Sequence, residues 1–404
     1  MNQLFKMAFR NLGRNRRRTL LSALAVSLGM ALLLLIAGVL HGEMDGAMKN
    51  TILLSSGDLQ VRNAAYNEEK MSLDWKDLIA SPDAVVEQIK ALPQVTAATP
   101  RLLASGILTL GENSRGVQVI GIDPASAANQ VFRQGILSGE FLTADDRDGI
   151  LIGKPLADKF HLNTGDQVSL LVNTSNGDTD EQLFTVRGVY STNTSSYDEN
   201  TVFMPLAKAQ AITGAQDHAS LIFVLLQNKE QADGVAAAIQ SPGFQVLTWS
   251  KMNEIIVQTE QFANSFMVLF YLIVLGITAT VVTNTLVMAV FERTREIGIL
   301  TAIGMKARQV LAQFMTEAGL IATGGVVGGL ILGLIVVGIF NHYGFYVGNY
   351  GLSGMLISDR IYANLQTSDA TRLVIITYAI TLLASLYPAI MASRLEPVEA
   401  LHAQ

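Results

Sequence analysis

The chain has 404 residues, of which half are apolar and only 15% are charged, and its formal net charge is −6. A net acidic chain of this composition argues against nucleic acid as a partner, because nucleic-acid binding needs basic patches. The chain has no cysteine, so its fold does not rely on disulfide bonds.

Four stretches of the sequence are nearly free of charge and long enough to cross a bilayer as helices. Runs this long and this apolar lack the polar face of a soluble helix, so helices buried in a soluble protein are the weaker alternative. We therefore predict four transmembrane helices (TM). The predicted spans are TM1 at 19–41, TM2 at 262–291, TM3 at 310–340 and TM4 at 372–393.

Residues 1–18 are predicted to form an amphipathic helix ahead of TM1. Leu4, Phe5, Ala8 and Phe9 recur at helical spacing, and the basic residues are displaced from that stripe. A signal peptide would also have a basic flank, but the apolar run of about 22 residues is too long and no cleavage pattern follows it. TM1 is therefore predicted to be an uncleaved anchor.

Residues 42–261 are predicted to form an external domain of α and β structure. They contain about 15 Lys and Arg against about 27 Asp and Glu, an acidic balance that suits solubility. A strand–helix–strand unit is predicted at each end, and Ser81 is predicted to cap the first of the two helices. The predicted elements of these units are strands at 58–61, 95–102, 220–226 and 244–248 and helices at 81–92 and 229–239.

The middle of the external domain is predicted to be rich in β structure, because short apolar runs alternate with Gly, Asp and Asn. Its predicted strands are 107–110, 116–120, 149–153, 165–172, 183–190 and 201–204. We therefore predict two subdomains. An α/β subdomain would be built from 42–103 and 206–261, with a β-rich insertion at 104–205.

Residues 292–309 are predicted to form a short mixed-charge helix between TM2 and TM3. Its basic residues are Arg293, Arg295, Lys306 and Arg308. By the positive-inside rule, this helix and residues 1–18 are cytoplasmic. Both termini, including the tail at 394–404, are then cytoplasmic and the 42–261 domain is outside.

TM3 contains a set of closely spaced glycines and one ionisable residue. Gly324, Gly325, Gly328 and Gly329 form overlapping small-xxx-small pairs, which predict close helix packing within the chain, with a dimer contact as the alternative. Glu317 is a membrane-embedded charge near the cytoplasmic end of the span. Contact with water or pairing with a neighbouring basic residue is favoured there over a functional role.

Residues 341–371 are predicted to be a second external loop, rich in Gly and Tyr. Aromatic residues near the end of a span typically anchor in the membrane interface. A loop that contacts the substrate is the alternative, and the sequence leaves the role of this loop open.

The sequence shows no catalytic or metal-binding constellation. Its five histidines share no metal-ligand spacing. The stretch Gly149–Pro155 has one residue too few between its glycines for a phosphate loop, and it has Pro where Ser or Thr would bind magnesium. We therefore predict no catalytic residue, no metal and no cofactor on this chain, which is then not an enzyme.

Two segments resemble the MacB/FtsX/LolC-LolE-type (type VII) permeases of ABC transporters. Glu292–Gly304 is similar to the coupling-helix segment of that family, and Tyr387–Leu401 is similar to its chain end. The 42–261 domain also resembles the family's periplasmic domain, with a porter-like α/β part and an inserted β-rich part. Ser56–Val61 is similar to the early strand of the LolC/LolE branch, whereas the 341–371 loop is longer than in many members.

The resemblance implies a multi-pass permease of the bacterial inner membrane, driven by separate cytoplasmic ABC ATPase subunits that bind ATP and Mg²⁺. It also implies a second copy or a sister permease as a partner, together with membrane lipid and a periplasmic lipoprotein carrier or adaptor. The implied ATPase-docking residues are Glu292, Arg293, Arg295, Glu296, Ile297, Ile299 and Leu300.

Within this family, the favoured function is mechanotransmission that releases lipoproteins from the inner membrane. One alternative is MacB-like efflux of drugs, peptides or haem. Another is an FtsX-like relay that transports nothing and activates a periplasmic cell-wall hydrolase. A membrane-anchored enzyme is the weakest hypothesis, because the sequence offers no catalytic set.

Overall fold

The computed structural model describes residues 2–67, 70–348 and 355–395. Their contacts divide them into two compact units. The membrane unit comprises 2–44, 260–345 and 361–395, and the α/β unit comprises 45–259 and 346–360. The described residues 346–348 and 355–360 therefore belong to the α/β unit, although they lie between two helices of the membrane unit in sequence.

Thirteen α-helices are present within the described residues. They are α1 (Asn2–Arg14), α2 (Arg16–Asn50), α3 (Pro82–Lys90), α4 (Gln130–Gln134), α5 (Lys154–Phe160), α6 (Ser195–Asp198), α7 (Leu206–Thr213), α8 (Ala232–Ile239), α9 (Trp249–Met252), α10 (Glu254–Glu292), α11 (Thr294–Ala302), α12 (Ala307–Tyr343) and α13 (Thr367–Ser393). A π-helix over Thr51–Ser56 continues α2.

Four of these helices, α2, α10, α12 and α13, are long and apolar enough to cross a membrane. They confirm the prediction of four such helices, as far as the described residues extend. Each helix starts before its predicted apolar window, because the flanking polar turns are also helical. Large apolar side chains on the outer surface, such as Phe262, Leu269 and Ile277, are exposed as expected for helices that face lipid.

Three clusters of buried apolar side chains hold the helices of the membrane unit together. One cluster packs α11 against the adjoining ends of α10, α12 and α13. It contains Ala289, Val290, Ile297, Val310, Phe314, Ala389 and Ala392. The short helix α11 is thus part of the packed unit rather than a free loop.

A glycine sets the turn between α11 and α12. Gly304 has a φ of +106°, a conformation that favours glycine. Its N–H donates to the carbonyl of Thr301, and the N–H of Met305 donates to that of Leu300. This pair of bonds is the Schellman motif, which satisfies the last carbonyls of α11 and ends the helix.

The fourteen strands within the described residues form one large sheet and two short ribbons. They are β1 (Leu59–Asn63), β2 (Ile79–Ala80), β3 (Val95–Leu110), β4 (Asn113–Ile122), β5 (Ile136–Gly139), β6 (Gly149–Gly153), β7 (Gln167–Asn173), β8 (Thr179–Tyr190), β9 (Thr201–Pro205), β10 (His218–Ala219), β11 (Leu221–Leu226), β12 (Phe244–Thr248), β13 (Phe345–Tyr346) and β14 (Arg360–Ile361).

The large sheet has ten strands in the order β12-β1-β11-β3-β4-β9-β6-β8-β5, and β7 pairs with both β3 and β8. Two pairs, β4 with β9 and β6 with β8, are parallel, and the remaining pairs are antiparallel. The two ribbons pair β2 with β10 and β13 with β14. The sheet therefore joins strands from both ends of the 42–261 segment.

The strands predicted at 149–153, 201–204 and 244–248 are confirmed within one residue. The predicted break between 102 and 107 is wrong, because β3 is a single strand that pairs with β4 along its second half. It also pairs with β11 at one end and with β7 at the other. The predicted subdomain boundary at 103/104 thus falls inside β3, and the two-part description stays a prediction.

Helix α3 begins at Pro82 as predicted, but the predicted cap is wrong. Ser81 makes no side-chain bond to the first turn of the helix. Its Oγ instead donates to Oδ2 of Asp217 at 2.9 Å. The start of α3 is thus set by the fixed φ of Pro82, which suits a first helical turn.

Candidate functional site

The residues predicted for ATPase docking lie on two different faces of the α11 region. Arg293 and Ile297 are buried, with 4% and 5% of their surfaces exposed. Arg295 and Ile299 are exposed. Positions four apart share a helix face, so burial of 293 and 297 turns 295 and 299 outward.

Arg293 lies in a buried polar cluster rather than at the surface. Its Nη1 donates to both carboxylate oxygens of Glu317 on α12, at 3.1 Å each. Nδ2 of Asn11 on α1 donates to Oε1 of Glu317 at 2.7 Å, and Nη2 of Arg293 donates to the carbonyl of Asn11 at 3.3 Å. The cluster Asn11–Arg293–Glu317 therefore ties together α1, the start of α11 and α12.

This cluster is costly to assemble and specific in geometry. Burial of two charges carries a desolvation penalty that only a well-formed pair with further hydrogen bonds offsets. Nε of Arg293 has no hydrogen-bond partner among the described residues, so the pair is not fully satisfied there. We therefore interpret the cluster as a device that fixes the position of α11, not as a general source of stability.

Two exposed ion pairs join the same region to the N-terminal helices. Nη2 of Arg14 lies 2.6 Å from a carboxylate oxygen of Glu296, and Nη1 of Arg18 lies 2.8 Å from one of Glu292. Exposed pairs contribute little stability. They do place both carboxylates beside basic residues of α1 and α2, so neither faces solvent alone.

Fewer of the predicted docking residues are therefore exposed than the sequence implied. Arg295, Glu296 and Ile299 are exposed, whereas Leu300 is half-buried. Ile303, which the sequence analysis passed over, is 80% exposed. Its place four residues after Ile299, within the predicted helix, was a signal that could have identified it. We define the exposed face of α11 as Arg295, Glu296 and Ile299 together with Ile303, the residue that follows the helix.

Three of the four predicted packing glycines of α12 contact α2. A Cβ added to Gly325 would lie 2.6 Å from Val26, one on Gly328 would lie 3.0 Å from Ser27, and one on Gly329 would lie 2.6 Å from Met30. In the described part of the chain, an ideal Cβ on Gly324 has no such neighbour within 4 Å. These glycines thus allow close approach of α2 and α12 within the chain.

The first membrane helix has a glycine pair that the sequence analysis missed. A Cβ on Gly42 would overlap the carbonyl oxygen of Tyr362, and the carbonyl of Gly38 accepts a bond from the N–H of Asn364 at 2.7 Å. The spacing of these two glycines is itself a small-xxx-small pair. Here it accommodates the extended chain that precedes α13.

In the α/β unit, the π-helical end of α2 is held by a buried cation. Nη1 of Arg101 and the hydroxyl of Tyr197 both donate to the carbonyl of Leu54, at 3.2 Å and 3.0 Å. The guanidinium also lies 3.6 Å from the centre of the Phe223 ring. Burial lowers the pKa of Arg101 to about 10, so it remains charged at neutral pH.

The buried carboxyl of Asp198 on α6 is expected to make the stability of the protein depend on pH. Burial raises the pKa of its carboxyl from 3.8 to about 6. A raised pKa means that folding favours the protonated form, so stability is lost as the pH rises from about 4 to about 7. The total loss is about 3 kcal/mol at roughly 1.4 kcal/mol per pKa unit.

We expect Asp198→Asn to remove this pH dependence, because the amide stays neutral and still bonds Thr192. Melting of the purified full-length protein should give a variant that exceeds wild type at pH 7.5 by more than at pH 5. Asp233→Asn, at an exposed position of α8, is the matched control and should show no such trend. Equal gains at both pH values would contradict the assignment.

Comparison with known proteins agrees with this architecture. The family model for the MacB-like periplasmic core domain matches residues 19–241, and that for the FtsX-like permease C-terminal domain matches 268–397. The first match alone covers more than half of the chain.

Individual relatives match over nearly the whole chain. The lipoprotein-releasing system transmembrane protein LolE of Haemophilus influenzae is 23% identical, over 94% of this chain and 93% of its own length. LolC of Neisseria meningitidis is also 23% identical, over 95% and 93%. The macrolide export ATP-binding/permease protein MacB of Acinetobacter baylyi is 22% identical, over 99% of this chain and 59% of its own length. The chain therefore belongs to the type VII family of ABC transporter permeases, which combine a MacB-like periplasmic core domain with an FtsX-like C-terminal domain.

Proposed function

We propose that this chain is the permease subunit of a mechanotransmitting ABC transporter that releases lipoproteins from the bacterial inner membrane. A separate cytoplasmic ATPase binds the exposed face of α11, and this chain itself binds no cofactor. Both termini lie in the cytoplasm, and the α/β unit works on the periplasmic side. The observation that carries the proposal is the joining of α11 to α1 and α12 through the buried Asn11–Arg293–Glu317 cluster.

The relatives support a separate ATPase and a lipoprotein cargo. LolE and LolC are named as transmembrane proteins of lipoprotein-releasing systems, and this chain covers 93% of the length of each. The MacB relative is named as both ATP-binding and permease protein, and this chain covers only 59% of it. The chain thus corresponds in extent to the relatives whose names mention no ATP-binding part.

The geometry suits a subunit that transmits movement. A partner that grips the exposed face of α11 applies force to a helix whose other face is buried. Because Arg293 bonds both Glu317 on α12 and Asn11 on α1, force applied to α11 is passed to those two helices through these bonds. Helix α1 leads directly into α2, whose far end belongs to the α/β unit.

Substitutions on the exposed face of α11 are expected to weaken ATPase binding. We expect Ile303→Asp to reduce co-purification of the ATPase at least ten-fold, since it places a charge in an apolar contact, and Arg295→Ala to reduce it several-fold. Ile255→Asp is the matched control, because Ile255 is 63% exposed at the start of α10 in the α/β unit. Full ATPase binding by both α11 variants would contradict the docking assignment.

Cargo is tested by reconstitution. The full-length permease and its ATPase are placed in proteoliposomes that contain a tri-acylated lipoprotein, and a soluble lipoprotein carrier is added outside. We expect release to the carrier only with ATP and Mg²⁺. ATP-driven movement of a macrolide without lipoprotein release would favour MacB-like efflux instead. Activation of a cell-wall hydrolase without either cargo would favour an FtsX-like relay.

We also expect two permeases in the working assembly, because ABC ATPases act as pairs and most such assemblies are two-fold. The second permease is either another copy of this chain or a sister chain. Mass measurement of the complex purified with its ATPase separates the two, since a sister chain has a different mass. A complex with a single permease would contradict the expectation.

A further inference from the structure

The segment between α12 and α13 has contacts that the proposed function does not use. Its residues 346–360 belong to the α/β unit, as far as they are described. Met355 is 5% exposed, and Leu356 packs against the apolar cluster that contains Leu54 and Phe203. Residues 355 and 356 are therefore packed into the α/β unit rather than lying over it as a surface loop.

Asp359 fastens this segment to the start of α6. Its Oδ1 accepts a bond from the N–H of Ser195 at 3.0 Å, and its Oδ2 accepts one from Oγ of Ser195 at 2.6 Å. The N–H of Asp359 donates to the carbonyl of Asn193 at 2.8 Å. One residue thus makes three hydrogen bonds to the chain at α6, two of them through a carboxylate.

Asn50, the last residue of α2, fastens the same segment a second time. Its Nδ2 lies 3.1 Å from the carbonyl oxygen of Leu356, 2.8 Å from Oγ of Ser358 and 3.1 Å from Oγ1 of Thr194. A single amide therefore bonds the segment and the residue that precedes α6. The end of α2, the segment and α6 meet at this point.

Helix α6 also bonds the end of α2 directly. The hydroxyl of Tyr197 donates to the carbonyl of Leu54 in the π-helical end of α2. Two residues earlier, the hydroxyl of Ser195 donates to the carboxylate of Asp359. These contacts make the short helix α6 the common attachment of α2 and of the chain between α12 and α13.

We propose that residues 355–360 form a strap that carries movement of the α12–α13 pair into α6. The chain then joins the α/β unit to the membrane helices through α2, through α10 and through this strap. The proposal rests on the proposed function as a mechanical permease, because a strap transmits movement only if the helices move. It assigns a role to the 341–371 loop that the sequence left open.

The test breaks the hydrogen bonds between the Asp359 carboxylate and Ser195, which we call the latch, in the full-length protein. Asp359→Ala removes both carboxylate bonds, whereas Asp359→Asn keeps an acceptor for the Ser195 N–H. Asp217→Ala is the matched control, because Asp217 makes a comparable bond to Ser81 elsewhere in the α/β unit. The first readout is hydrogen–deuterium exchange of residues 355–360 and 194–198. The second is ATP-driven lipoprotein release with the ATPase present.

We expect Asp359→Ala to raise exchange in both segments at least five-fold and to lower release at least five-fold, with ATPase binding unchanged. Asp359→Asn should stay within two-fold of wild type in both readouts, and Asp217→Ala should leave both unchanged. Unchanged exchange after Asp359→Ala would overturn the latch, and raised exchange with full release would overturn its mechanical role. Absence of release by wild type would instead count against the proposed function, and exchange would still decide whether the latch exists.

Discussion

Removal of either charge of the buried Arg293–Glu317 pair is expected to destabilise the protein by about 3–5 kcal/mol. The pair is buried, with 5% and 2% of the two side chains exposed. Loss of one partner leaves the other charge buried without compensation. Arg293→Met and Glu317→Gln should therefore each lower the melting temperature and the yield of purified full-length protein.

The double variant Arg293→Met/Glu317→Met should recover more than half of that loss, because it leaves no uncompensated charge. Glu292→Gln is the control, since it breaks the exposed Arg18–Glu292 pair and should change the melting temperature little. The double variant separates the effect of the cluster on stability from its effect on ATP-driven lipoprotein release. If the cluster positions α11, this variant should fold and bind the ATPase yet release lipoprotein poorly. Full release by the double variant would contradict the positioning role.

Gly329→Ala is expected to destabilise the contact between α2 and α12 by about 1–3 kcal/mol, the usual range for overpacking. Its Cβ would lie 2.6 Å from Cβ of Met30 and 2.7 Å from the carbonyl of Ser27. One of these neighbours is backbone, so a rotamer change alone cannot relieve the overlap. The helices must move apart, and the melting temperature of the purified protein should fall.

Gly324→Ala is the matched control in the same helix. An ideal Cβ there has no such neighbour within 4 Å, so the change should be neutral or stabilise α12 by up to about 1 kcal/mol through helix propensity. If the two substitutions change the melting temperature in opposite directions, the effect of Gly329→Ala comes from packing against α2 and not from the loss of a glycine in itself. Equal effects on the melting temperature would contradict the proposed contact.

The sequence predicted the four long helices and most strands because these depend on local pattern. Uninterrupted apolar runs specify membrane helices, and alternation between turn residues specifies strands. The sequence did not predict that the strands at 95–102 and 107–110 are one strand, because Ser105 and Gly106 interrupt the apolar alternation between them. Their backbone nevertheless stays extended, since β4 pairs with both residues and β7 pairs with Gly106 on the other side.

The candidate site was predictable in position but not in detail. The charge pattern located α11, yet it could not show that Arg293 turns inward, because its partner Glu317 is 24 residues away. Asn11 is further still in sequence, and nothing in its neighbourhood marks it as a partner. The strap also depends on tertiary contacts alone, since Asp359 meets Ser195 across 164 residues.

The most direct test of the account is site-specific photo-crosslinking from α11 in living cells. A photoreactive amino acid replaces Ile303, which is 80% exposed, and another replaces Ile255 in the α/β unit as the control. We predict that position 303 forms an adduct with an ABC ATPase subunit, identified by its nucleotide-binding motifs in mass spectrometry, and that position 255 does not. Absence of an ATPase adduct at 303 in cells that carry out lipoprotein release would contradict the account.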